Sequence, residues 1–355
     1  MNFTALEKKY ANFYAPAFEI LVEGKNLREM GLEITSVKVD QMLEGADYFT
    51  FEINNMFDLG QGLKPLLPVG KKVSIRMGYG RQLEPVLTGV ITSMTTQFQA
   101  AHSPRLVVTG FDLSYPMTKG MGSDSWDRVQ HSDVAVRIAE KYGLKSKVDP
   151  TEVVYPKVMK RSDKSDFEFL QKLAADNYFE FSVFGDTLYF RKPQYELEAV
   201  VELEWRKQLL YFSPEINVAG YMTEVEIRGW NPKTKKEIVG KAKAGNPLGN
   251  PRELTGGKLV QSLLRQPETL SLRHPVFSQQ EAEKLAKAIL NKHNEGLITG
   301  EGETIGLPDI MPGRIIRLNG LGSTFSKSYY IEKCVHHISA DRGYLTTFHV
   351  KESVL

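Results

Sequence analysis

Histidine, cysteine and paired glutamates are the side chains with most chemistry to offer in this 355-residue chain. His336, His337 and His349 fall on the last two strand-like stretches, and His274 and His293 lie beside or on a helical pattern. Neighbouring residues of a strand point to opposite faces, so His336 and His337 cannot chelate one ion together. Either one with a cross-strand His349 would lack a carboxylate or thiolate companion. Packed or strand-surface histidines are therefore the expectation, with no metal site. The single cysteine, Cys334, excludes an intramolecular disulfide and a cysteine-based zinc site. Its alternating surroundings predict a half-buried structural thiol. Glu301 with Glu303, and Glu202 with Glu204, stand at the period of two that puts a pair on one strand face, and a glycosidase works with two carboxylates. Their flanks read as solvated edges or loops, so no catalytic residue is expected there.

Other reactive motifs are missing. Gly78-Tyr79-Gly80 lacks the third glycine and the following helix of a dinucleotide fingerprint, and reads as a turn. No Gly-x-Ser-x-Gly elbow, Walker loop or His-Glu-x-x-His occurs. Gly122-Ser123-Asp124-Ser125 reads as a linker. No cofactor is implied.

Composition narrows the class. Hydrophobic residues at 41% and charged residues at 25% are ordinary for a soluble globular chain, and the length suits two or three domains. A net charge of +2 with no concentrated basic face disfavours nucleic-acid recognition. The N-terminus lacks an apolar core with basic start and cleavage site, and no stretch reaches the roughly 18 apolar residues of a membrane span. Synthesis and folding in the cytoplasm are expected.

The elements that must position these residues are mostly strands. Residues 1–17 form an N-terminal arm in which Phe3, Leu6, Tyr10 and Phe13 recur at helical spacing. A first β-barrel domain is predicted over 18–120, from the period-two runs of Phe18/Ile20/Val22, Phe49/Phe51/Ile53 and Val73/Ile75/Met77. Gly89 and Gly110 inside such runs suggest bulges or tight bends. Residues 121–195 read as a helix–helix–hairpin α/β domain. Ser132 or Asp133 caps its first helix, which Gly143 ends. Ser165-Asp-Phe-Glu168 is a capping box opening the second, and Gly185-Asp186 turns the hairpin.

Residues 196–272 hold crossover strands at 200–203 and 221–228, then a Lys/Gly/Pro-rich stretch, 231–258, read as an exposed or partly disordered loop. Its lysines (233, 235, 236, 241 and 243) are accounted for by solvation, although an acidic partner surface would also suit them. Residues 273–355 predict a helix with a second capping box, Ser278-Gln-Gln-Glu281, stopped by Gly296, and then a second β-barrel. Gly306, Pro308, Pro312 and Gly313 are read as fixing the approach to its strand 314–318. The fold class is β-dominated α+β: two antiparallel β-barrel domains with a small helix-plus-hairpin α/β insertion.

Four stretches together resemble a known family. They are Leu87–Ile91 through Val107–Asp112, Ser165–Ala174 followed by Phe179–Phe190, Arg273–Ala288, and Gly306–Phe348. Their order over residues 18–352 is similar to that of the contractile-tail baseplate hub family, the phage late-control D proteins and the hub portion of VgrG spikes. The resemblance implies a homotrimer of two similar barrels per chain, a pseudo-sixfold ring adapting a threefold spike to a sixfold tail tube. Implied partners are a central spike protein, the tail tube or its initiator, and other baseplate proteins. The implied location is the baseplate of a virion, tailocin or extracellular injection particle. The chain ends at Leu355 without an OB-fold or β-helix, so a separate spike is expected. A carbohydrate- or cell-wall-binding β-barrel module and a peptidoglycan hydrolase are the alternatives.

Overall fold

A computed structural model describes residues 1, 3–54, 57–58, 62–63, 69–98, 100, 103–231, 234–244, 259–260, 262 and 268–355. The first half is antiparallel: β1 (Pro16–Val22), β2 (Lys25–Asn26), β3 (Glu33–Met42), β4 (Tyr48–Asn54), β5 (Phe57–Asp58), β6 (Gly62–Leu63), β7 (Lys72–Tyr79), β8 (Gln82–Gln97) and β9 (Arg105–Asp112). Apart from the separate β5–β6 pair, they lie in the order β3-β4-β9-β8-β7-β1-β2. The period-two apolar sets face inward: Val37, Phe49, Phe51, Ile53, Val73, Ile75, Met77 and Val108 are all buried. Each such side chain contributes about 1.5–3 kcal/mol on burial. Gly89 and Gly110 are not themselves the bulge, which falls between Ile91 and Ser93. They allow close approach instead, since a Cβ at Gly110 would run into the Val90 carbonyl and the Phe49 ring.

Ahead of this sheet, α1 (Phe3–Lys9) folds onto its own chain. Leu6 and Tyr10 are fully buried in the core, and the Tyr10 hydroxyl donates to Asp309 Oδ2 at 2.6 Å. A left-handed run at Ala11, Asn12 and Phe13 turns the chain back into β1.

The middle of the chain has its own core, with Val134, Ile138, Leu170, Leu173, Phe181, Leu188 and Phe190 among its residues. Its elements are α2 (Tyr115–Thr118), β10 (Asp124–Val129), α3 (His131–Lys141), β11 (Lys145–Val148), β12 (Tyr155–Lys160), α4 (Asp166–Asn177), β13 (Glu180–Phe184) and β14 (Thr187–Arg191). The hairpin and the α4 capping box are as expected: Ser165 Oγ accepts from the Glu168 amide at 3.1 Å, and Glu168 accepts from the Ser165 amide at 2.9 Å. Helix α3 begins earlier than predicted. Gln130 caps it, with Asp133 accepting from the Gln130 amide, and Ser132 instead bonds Thr151. The stretch read as a linker already contains the first residues of β10.

The remaining elements are β15 (Val201–Glu204), β16 (Leu209–Ile216), β17 (Glu224–Asn231), β18 (Lys236–Lys243), β19 (Thr269–Arg273), α5 (Gln279–His293), β20 (Ile298–Ile305), β21 (Ile315–Asn319), α6 (Gly322–Phe325), β22 (Ser328–Ser339) and β23 (Gly343–Glu352). The stretch read as an exposed loop is in part a strand, β18, paired antiparallel to β17. Its Lys241 reaches Glu226 at 2.6 Å. Lys233 and residues 245–258 lie outside the described residues. Helix α5 packs on β17 and β18 through Ile227, Ile238, Ala282, Leu285 and Leu290. A Cβ at Gly240 would strike the Ala282 backbone, so glycine sets that close approach. The boundary expected between 272 and 273 thus falls inside one packed unit, within β19 itself. The second capping box is only half formed: Ser278 accepts from the Glu281 amide, but Glu281 reaches the Phe277 amide, one residue further back.

Strands from both halves form one 13-stranded sheet, joined where β22 pairs β3. His336 lies opposite Val39 and Ile338 opposite Val37 at this seam. The cores merge with it, Val39 and Phe49 belonging to the same cluster as Leu203, Ile316 and Phe348.

Candidate interaction surface

The reactive side chains are scattered. His336 is fully buried, its Nε2 donating to the Ile310 carbonyl at 3.0 Å while Nδ1 faces the Thr346 and Tyr344 hydroxyls at 3.0 Å. That arrangement suits a neutral ring, and burial pushes its pKa down to about 4. His337 points to the opposite face, as expected, and meets Ser36 Oγ at 3.2 Å. His349 is exposed and sits opposite Lys333, not beside His336. His293 is exposed at the end of α5. Cys334 is fully buried rather than half-buried, with Sγ 3.2 Å from the Ile310 carbonyl, and burial raises its pKa. Among the described residues no group of three or more His, Cys, Asp or Glu could hold a metal ion.

The glutamate pairs face outward. Glu303 meets Arg342 at 3.4 Å and Glu204 meets Lys207 at 2.7 Å, while Glu202 and Glu301 are exposed. Buried acids that sequence reasoning missed are structural ties. Burial and the neighbouring Asp112 raise Asp47, and burial raises Asp112 to about 6 despite its bonds from Ser114 and the Asp47 amide. Asp166 is held below its usual range: burial opposes ionisation, but Lys160, Tyr142 and Lys141 outweigh it. Glu180 accepts from the Tyr330 hydroxyl at 2.6 Å, joining the middle unit to β22. Beside that joint lies a cleft of about 610 Å³ whose charged groups include Lys351, paired with Glu295 at 2.7 Å and Glu332 at 3.0 Å. Partners several to hundreds of residues apart leave no local signal.

One feature of the surface stands out physically. Strand β16 pairs β20 along one side, and beyond Leu209 its other edge carries no strand among the described residues. Leu210 is 50% exposed, Tyr211 52% and Ile216 44%, with Trp205, bridged to Leu209 ahead of the strand, at 43%. Pro214 is tolerated there because an edge strand can spare an N–H. The sheet's other end is blunt, closed by the two-residue β2. A long apolar open edge opposite a short one is an interaction surface in search of a strand or an apolar face.

The model of the Alg8 N-terminal domain family matches residues 14–340, nearly the whole chain. The chain belongs to that family. No curated protein matches it in sequence. Among solved structures, a tail protein from Neisseria meningitidis superposes with a TM-score of 0.72 at 16% identity, covering 96% of this chain and 97% of that one. The 43 kDa prophage tail protein from Shewanella oneidensis gives 0.72 at 13% identity, over 96% and 100%. An Escherichia coli component of the type VI secretion system, itself similar to T4 bacteriophage tail proteins, gives 0.58 at 13%, over 94% and 76%. At these identities the likeness concerns the fold, and the β-dominated fold of this family member is that of phage tail proteins. Among the described residues no helix is long and apolar enough to cross a membrane.

Proposed function

We propose that the chain is a structural baseplate hub of a contractile tail or injection system, a homotrimer that adapts a threefold spike to a sixfold tail tube. The observation that carries this reading is the single sheet running through both halves, with an open apolar edge on β16 at one end. Such a body is a stiff wedge, and wedges joined edge to face by a heterologous contact close into a ring when the rotation permits. Two barrel-like halves per chain would present six similar positions in a trimer. The tail-protein fold supports the same reading.

The partners would be two further copies, a central spike protein, the tail tube or its initiator, and other baseplate proteins. After synthesis in the bacterial cytoplasm the chain would reside in the baseplate of a virion, tailocin or extracellular injection particle. It would have no catalytic, cofactor or metal residues of its own and no nucleic-acid target. Within it, residues 1–17 would act as an arm, 18–120 as the first barrel and 121–195 as the inserted unit. The remainder would divide into the α5 unit and the second barrel. Native mass measurement of the chain co-expressed with its spike tests the proposal. A complex containing three 40.1 kDa subunits is expected. A lone monomer that binds glycans or clears peptidoglycan would contradict it.

A further inference from the structure

Between the middle unit and the α5 unit lies a second cleft, of about 290 Å³, walled by α4 and β12 on one side and by α5 and its approach on the other. Its charges are unbalanced. Asp176 is engaged with Lys172 at 3.1 Å, and Glu281 is engaged with the Phe277 amide at 2.7 Å. Lys284 and Lys157 also line the cleft, and neither has a carboxylate within ion-pair distance among the described residues. Lys284 is partly buried, and its pKa is lowered by that burial and by Lys192, with Glu152 opposing. Across the cleft His131 is pushed down to about 3, first by burial and then by Lys172 and Lys284. The buried Nδ1 of His274, in the same cleft, has no hydrogen-bond partner. On the rim, Met159 is 66% exposed and Phe277 56%.

An under-neutralised lysine, an imidazole nitrogen without a partner and two exposed apolar side chains therefore face one concavity. The lysine lacks a counter-charge, and the two apolar side chains lack an apolar cover. We propose that this cleft docks a peptide segment of another protein in which an acidic side chain adjoins a bulky apolar one. Its carboxylate would meet Lys284, and its apolar side chain would cover Met159 and Phe277. Acidic motifs are commonly read this way, by basic side chains beside an apolar contact. The docking would be separate from ring closure at β16.

Selection of random displayed 12-residue peptides on the purified full-length chain tests this directly. Enrichment of sequences with Asp or Glu beside Leu, Ile, Phe or Met is expected. A fluorescein-labelled peptide of the enriched sequence should bind about tenfold more weakly to Lys284→Glu and close to normally to Lys284→Arg. Phe277→Ser, at an exposed site, should weaken it without lowering the melting temperature. No enrichment, enrichment of basic sequences, or binding indifferent to Lys284→Glu would overturn the proposal. So would self-association of the chain that Met159→Ser abolishes, since that would assign the cleft to a second copy.

Discussion

His336 shows what burial does to a titratable group in this fold. Its pKa falls from 6.5 to about 4 because charging the ring would strand a cation beside Cys334, Thr346 and Tyr344. The unfolded chain takes up that proton near pH 6.5 and the native state resists until about pH 4. Stability should therefore fall across that window, by on the order of 3 kcal/mol from this group. Asp112 acts with the opposite sign. Raised from 3.8 to about 6, its contribution is fully present below pH 3.8 and is lost as pH climbs through 6. Asp112→Asn should therefore steepen the loss of stability on acidification, as read by urea denaturation between pH 7 and 4. An imidazole NMR titration of His336 with a midpoint near 6.5 would refute this account. The opposite-face relation of His336 and His337 was legible from strand periodicity alone. The depth of Cys334 was not, because a strand pattern does not say that β3 and β23 will flank β22 on both sides.

At the level of elements, caps and alternation carried most of the reading. Ser165 closes a reciprocal box, so Ser165→Ala should cost about 1 kcal/mol in chemical denaturation. Ser278→Ala should also destabilise, but the Glu281 bond to Phe277 survives it and leaves that cap partly intact. Helix α1 is tied by Tyr10 to Asp309, some 300 residues on in sequence. Tyr10→Phe removes a buried donor from that carboxylate and should cost about 1–3 kcal/mol, with earlier proteolysis of the N-terminal segment. Lys9 stays bound to the same carboxylate at 2.8 Å and limits the damage. Strand β18 was misread because its lysines look like a solvated run. Lys241 and Lys243 lie opposite Glu226 and Glu224 of β17, and that pairing cannot be seen in one strand alone. Strand β10 was missed for a related reason: only Val129 of its six residues is buried, so it shows little apolar alternation.

For the whole molecule, the β-dominated class and the two β-rich halves could be read from the spacing of apolar residues. The seam could not. Joining β3 to β22 needs long-range register, and nothing in either strand announces the other. That seam joins two barrel-like halves through one sheet, as the proposed ring component would need. Its consequence lies at the far edge of the sheet, on β16. Leu210→Lys with Tyr211→Lys should leave monomer stability within about 0.5 kcal/mol, since both side chains face solvent. The same pair of changes should prevent assembly of the proposed three-copy complex, read as its loss by native mass. The most direct test is a cryo-EM reconstruction of the native particle containing this chain. Three copies around one threefold axis, with β16 covered at each subunit boundary, are predicted. A single copy, another symmetry, or β16 open to solvent would contradict the account.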